Sequence, residues 1–214
     1  MTTRRFNAID RCLSAVDNAL RTLSAGTASP RRISPAADHE GGALSAQERR
    51  HAAGLMRVNH TGEVCAQALY QGQALTARLD GVRAAMEAAA QEEEDHLAWC
   101  EQRLEELDAR PSLFNPVFYG LSFAVGAGAG LVGDRLSLGF VAATEDQVCL
   151  HLESHLRRLP EQDTRSRAIV ARMLTDEARH ATHALDAGGL RFPWPVKRAM
   201  SAVAGVMTGV TYYA

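Results

Sequence analysis

Two short stretches of this chain, EEEDH at 92–96 and DEARH at 176–180, each place a glutamate three residues ahead of a histidine. On a helix, residues i and i+3 share a face, so Glu93 with His96, and Glu177 with His180, can each reach one metal ion. A single Glu-x-x-His says little, because helices are rich in both residues. The repeat around it says more. Glu63 lies 30 residues before Glu93, and Glu145 lies 32 residues before Glu177, each on the preceding expected helix. One Glu from each of two helices, with Glu-x-x-His from each of the other two, is the ligand set of a four-helix bundle built around two metal ions. The expectation is an all-α protein with Glu63, Glu93, His96, Glu145, Glu177 and His180 as metal ligands.

The charges support that reading. Four carboxylates are expensive to bury in a core without cations, and two divalent ions would balance them. A ligand set of oxygen and imidazole without thiolate suits iron or manganese better than zinc or copper. Glu92 and Asp176, four residues before the histidines, are geometric rivals, and the repeat favours the i, i+3 members. His60 and His183 are each one turn from a ligand and read as neighbours. Asp146 and Asp176 are both candidates for orienting the histidines, and the sequence does not choose between them. Glu92, Glu94, Asp95, Glu101, Glu105 and Glu106 read as a solvated helix face paired with Arg103 and Arg110.

Periodicity places the remaining elements. Phe6, Ile9, Leu13, Val16, Leu20 and Leu23 form a narrow apolar stripe on a helix over 4–23. Residues 24–45, rich in Ser, Pro, Gly and Ala, read as a flexible linker. Ser45 and Glu48 form a capping box, and a helix runs from there to about 79. Asp80-Gly81 reads as a turn, followed by helices over about 82–109, 135–158 and 161–187. Gly188-Gly189 end the last of these. Pro193 and Pro195 open a short terminal helix. The main domain is expected to occupy residues 46–214.

Pro116 to Gly133 is a run of eighteen residues without a charge. That length is borderline for a membrane span. The six glycines between 120 and 139 lower its hydrophobic density and need a reason, either close helix approach or membrane-style packing. A buried or membrane-skimming helix is the expectation. A net charge of −2 with scattered arginine pairs argues against a nucleic-acid partner. The cysteines at 12, 65, 100 and 149 form no Cys-x-x-Cys, and are expected to be free thiols in a reducing compartment. The opening MTTRRF has no unbroken apolar run, so a cytoplasmic protein is expected.

The segments RVNHTGEVCAQALYQGQ, EEEDHLAWCEQRL, GFVAATEDQVCLHLESHL, DEARHATHALDAGG and SFAVGAGAGLVGD resemble the demethoxyubiquinone hydroxylase family of ubiquinone biosynthesis. The resemblance covers roughly residues 48–214. It implies a ferritin-like bundle holding two iron ions per chain, and hydroxylation of the demethoxyubiquinone ring by O2. It carries the six ligands over to the same residues and marks His151 for electron or proton delivery. The residue after it is often tyrosine in the family and is Leu152 here. It also implies a polyprenyl benzoquinol substrate, other ubiquinone-biosynthesis proteins as partners, and a membrane surface from which the long-tailed substrate is drawn. The Gly/Ala-rich segment and the last helix are the natural docking faces of a peripheral, monotopic protein on the cytoplasmic side of the cell membrane. The rival readings are a ferritin- or rubrerythrin-like protein that oxidises or stores iron or removes peroxide, and a metal-free membrane-associated scaffold.

Overall fold

The computed structural model describes residues 8–24, 26–28 and 30–214. Among them are seven helices and no strand: α1 (Ala8–Leu23), α2 (Ala46–Thr76), α3 (Asp80–Glu106), α4 (Asn115–Val132), α5 (Asp134–Arg158), α6 (Thr164–Asp186) and α7 (Trp194–Tyr213). The part of the first expected helix before Ala8, with Phe6, lies outside the described residues.

Helix ends follow local chemistry. Ser45 Oγ accepts from the Glu48 amide, and the Glu48 carboxylate accepts from the Ser45 amide at 2.9 Å, which is the capping box. Asp163 caps α6 through the Ser166 amide at 3.0 Å and also receives Arg103 Nη2 from α3 at 2.8 Å. Asp80 and Gly81 form the first turn of α3 rather than a turn of their own. The bend falls just before them, because the Asp134 carboxylate accepts the amides of Arg78 and Leu79 at 3.0 and 2.9 Å, and an aspartate favours a helix N-terminus. Gly133, at φ +150°, turns the chain from α4 into α5 in one residue, a conformation that side chains disfavour.

Helices α2 and α3 form one pair, α5 and α6 the other, and α4 crosses between the pairs while lying along α2. The core has two apolar layers stacked along the four helices and a third cluster, Val64, Ala68, Leu97 and Tyr119, where α4 meets them. One contains Leu55, Met56, Trp99, Leu104, Leu152, Ile169 and Met173. The other contains Tyr70, Met86, Leu138, Val141 and Ala184. On each of the four helices the residues of the Glu/His repeat fall between these layers in sequence, so the bundle carries a polar storey between two apolar ones.

Segment 30–44 lies against this body. Ala36 is buried in the first layer, and the amides of Gly26 and Arg31 donate to Glu101 and Asp95 at 2.9 and 2.6 Å. Asp95 and Glu101 are therefore buried. The solvated face expected for α3 is half covered, because a segment without helical periodicity supplies its cover.

The glycines of α4 divide by face. A Cβ on Gly126 would stand 2.3 Å from Leu69 O, and one on Gly72 of α2 would stand 2.4 Å from Phe123 O. Backbone meets backbone there, so α4 docks on α2 through small residues. Gly120 and Gly128 face open space. In urea denaturation, Gly126→Ala is expected to destabilise the fold by roughly 1–3 kcal/mol through overpacking. Gly128→Ala is expected to stabilise it by about 1 kcal/mol through helix propensity. Equal effects would refute close approach as the reason for Gly126.

Candidate metal centre

All six residues of the repeat are buried at the middle of the bundle. Ligand atoms of Glu63, Glu93, His96 and Glu177 lie within 4.8 Å of one another. His96 Nδ1 stands 2.9 Å from Glu93, 3.0 Å from Glu177 and 3.7 Å from Glu63. His180 Nδ1 stands 3.0 Å from Glu93 and 3.2 Å from Glu177. Each histidine therefore faces the carboxylates of both Glu-x-x-His helices. Glu145 completes the storey from α5, its Oε1 accepting a 2.5 Å hydrogen bond from the buried Tyr70 hydroxyl.

The outward nitrogens are held across the bundle. His96 Nε2 of α3 meets Asp176 of α6 at 3.1 Å, and His180 Nε2 of α6 meets Glu92 of α3 at 3.0 Å. The acid just before each Glu-x-x-His thus orients the histidine of the opposite helix, keeping both Nδ1 atoms turned inward. Of the two candidates left open by the sequence, Asp176 takes this part. Asp146 pairs with Lys197 of α7 at 2.6 Å. His60 faces Asn115 of α4 at 3.3 Å, and His183 is exposed. His151 lies half-buried on α5 beside His155, their rings 6.2 Å apart. Leu152 is 1% exposed and belongs to the apolar layer next to the site.

Residues 50–211 match the family model described as Ubiquinone biosynthesis protein COQ7. The chain belongs to this family. Similar proteins named 3-demethoxyubiquinol 3-hydroxylase are found in Pseudomonas paraeruginosa, 63% identical over 209 residues, and in Azotobacter vinelandii, 64% identical over 209 residues. Each alignment covers 98% of this chain and 97% of the relative. One in Pseudomonas fluorescens is 61% identical over 213 residues, 99% of both chains.

In this member of the COQ7 family the buried acids and imidazoles shift one another's proton affinities. Burial, reinforced by neighbouring carboxylates, pushes Glu63 and Glu145 well above the usual carboxylate range. Burial opposes charge on the imidazoles, but the surrounding carboxylates outweigh it. They raise His96 well above its ordinary value and His180 to about 12. Burial would also raise Glu93, yet the two imidazoles win and hold it below the usual range. Glu63, Glu145, His96 and His180 are thus all shifted toward their protonated forms. Burial pushes the Tyr70 hydroxyl well above its ordinary value, so it stays a donor.

Sequence reasoning missed Tyr70, and the signal was present. It stands seven residues after Glu63, two turns along the same face of α2. Glu92 was legible as an acid at the right step, but not as a partner for the histidine across the bundle.

A buried neutral histidine adjoins the site. His155 Nδ1 bonds Asn59 Oδ1 at 2.6 Å, and burial lowers its pKa to about 3 from 6.5. Between those values the unfolded chain binds a proton that the folded chain refuses. The contribution is fully present above pH 6.5 and is lost as pH falls toward 3. Relative to His155→Gln, the wild type is expected to lose about 1.4 kcal/mol of stability per pH unit on acidification through that window. A difference independent of pH in paired denaturation curves would contradict a neutral His155.

Proposed function

We infer that this chain is a monooxygenase that hydroxylates the ring of demethoxyubiquinol with O2 in ubiquinone biosynthesis. The reading is that two iron ions sit between Glu63, Glu93, His96, Glu145, Glu177 and His180. The observation that carries it is the buried storey of four carboxylates and two inward-facing imidazoles, in a chain more than 60% identical over nearly its whole length to named hydroxylases.

The residues fit such a metal pair. Glu93 Oε1 and Glu177 Oε1 are fully buried and accept no aligned hydrogen bond, although each lies 3.0 Å from a histidine nitrogen. Buried carboxylate oxygens left unanswered are costly, and a cation between them answers both. Neutral histidines held through Nε2 by Asp176 and Glu92 would present the Nδ1 lone pair inward. Bound there, two ferrous ions supply the electrons and the oxygen activation that no side chain offers.

The protein's own groups do the rest. The apolar layers above and below keep bulk water from the storey. Tyr70 holds a proton at its hydroxyl, aimed at Glu145 Oε1, and Leu152 leaves no tyrosine at the neighbouring α5 position. His151, half-buried six residues beyond Glu145, keeps its proposed part in proton or electron delivery.

The substrate's polyprenyl tail calls for an apolar surface. On α4, Val117, Leu121, Val125, Leu131 and Val132 are exposed, and on α7 Trp194, Val203, Val206 and Tyr213. Among the described residues, α4 is one helix long and apolar enough to cross a membrane. Both helices flank Cys65 of α2, which bonds Ser122 of α4 and lies 3.6 Å from Met207 of α7. Both apolar helices are thus anchored on α2, which supports docking on a membrane surface, proposed to be the cytoplasmic face.

A strain lacking the protein is expected to accumulate demethoxyubiquinone, with rescue by the wild type and none by Glu145→Ala. Normal ubiquinone in that strain, with no duplicate enzyme, would refute the function. Leu121→Glu with Val206→Glu is expected to abolish flotation of the purified protein with lipid vesicles; unchanged flotation would refute the docking surface. Filling the centre must also displace its protons. Calorimetry of anaerobic Fe(II) loading in buffers of different ionisation enthalpy is expected to show net proton release, because Glu63, Glu145, His96 and His180 are all held above their ordinary values. Release near zero would contradict these raised proton affinities.

A further inference from the structure

We propose that Arg32, on the segment ahead of the bundle, is a positioning residue for the metal centre, stapling α3 to α6 and holding His96 through Asp176. The proposal rests on the two-metal reading above.

The guanidinium spans the two helices that carry the Glu-x-x-His pairs. Nε meets Asp95 of α3 at 2.5 Å, and Nη1 meets Asp176 of α6 at 2.7 Å. Asp176 shares the same Oδ2 with His96 Nε2 at 3.1 Å. One carboxylate oxygen therefore links the arginine to a histidine whose other nitrogen faces the cluster. The arginine is itself well seated. Its amide and that of Arg31 donate to Asp95 Oδ1 at 3.3 and 2.6 Å. Its guanidinium lies 4.9 Å over the Trp99 ring, and Trp99 Nε1 donates to its carbonyl at 3.3 Å. Trp99 in turn packs 5.4 Å from the His96 ring.

Two other arginines approach Asp176. Arg172 Nε is 3.2 Å away and Arg179 Nη2 is 3.5 Å from its second oxygen. Both belong to α6; Arg172 travels with Asp176, and Arg179 Nη2 also meets Glu92 of α3 at 2.6 Å, but neither can tie Asp176 to the residue beside His96. Arg32 can, because Asp95 is one residue from His96 on α3. Helices α3 and α6 touch each other far less than the helices within either pair. Their separation at this storey rests on the crossed acid–histidine bonds, on the Arg179–Glu92 pair beside His180 and on the Arg32 staple beside His96. A planar fork that meets two carboxylates at once suits arginine, and lysine offers only a point charge.

The test is cobalt binding, which needs no turnover. Co(II) is titrated into the anaerobic full-length apoprotein against a competing chelator and followed by its visible absorption, with thermal unfolding of the apoprotein in parallel. Arg32→Ala is expected to weaken Co(II) binding by roughly 10–100-fold and to alter the absorption bands, with Arg32→Lys recovering part of the loss. Glu101→Ala removes the Gly26 tether without touching the guanidinium, and is expected to lower thermal stability while leaving Co(II) affinity near wild type. Wild-type affinity in Arg32→Ala would overturn the proposal. So would an equal loss in Glu101→Ala, which would assign the effect to docking of the segment as a whole. Failure of the wild type to bind two Co(II) would instead overturn the two-metal reading.

Discussion

Four carboxylates and two imidazoles buried in one storey of a helical bundle impose most of the order seen around them. Unanswered, such a set would be too costly to keep. The chain answers it in two ways. Glu63, Glu145, His96 and His180 are shifted toward their protonated forms, and the outward nitrogens are tied to Asp176 and Glu92 of the opposite helices. The oxygens that remain unanswered, on Glu93 and Glu177, each lie 3.0 Å from the inward nitrogen of a histidine.

The apolar layers on either side take their form from this storey. Each of the four helices must change from apolar to acidic and back within a few turns, and neighbouring helices must do so at the same height. Close backbone packing at Gly72 and Gly126 locks α4 against α2, which holds Glu63 at that height. Arg103 ties α3 to the start of α6 through Asp163 and Ser166, and Arg32 ties the same helices beside the site. The alignment of the ligands is therefore a property of the helix docking as much as of the ligands themselves.

The same architecture accounts for how a hydroxylase of this family could serve a substrate with a long apolar tail. The candidate site is enclosed, while about half of the large apolar residues left exposed lie on α4 and α7, helices that both pack on α2. Tyr70 stands where a hydroxyl can meet Glu145, and Leu152 fills the apolar layer. The tyrosine that the resemblance leads one to look for on α5 has no counterpart there, and a tyrosine from α2 touches the site instead.

Much of this was legible in the residues. A strict i, i+3 spacing repeated on two helices, each preceded by a lone glutamate, specifies a helical bundle and its candidate ligands, because helical periodicity converts spacing directly into direction. The capping box at Ser45, the glycine-rich apolar run and the last helix were legible for the same local reason. Three things were not. Spacing along one helix cannot reveal which acid on another helix meets a histidine, so the crossed partners Asp176 and Glu92 waited on tertiary structure. A face of α3 that looks solvated can be covered by a segment with no periodicity, which buried Asp95 and Glu101. And nothing in the composition of SPRRISPAAD marks Arg32 among its neighbours. Local periodicity determined the helices and the direction of their ligands; only the packing of one helix against another decided which charges meet across the core, since that depends on distances the linear sequence does not carry.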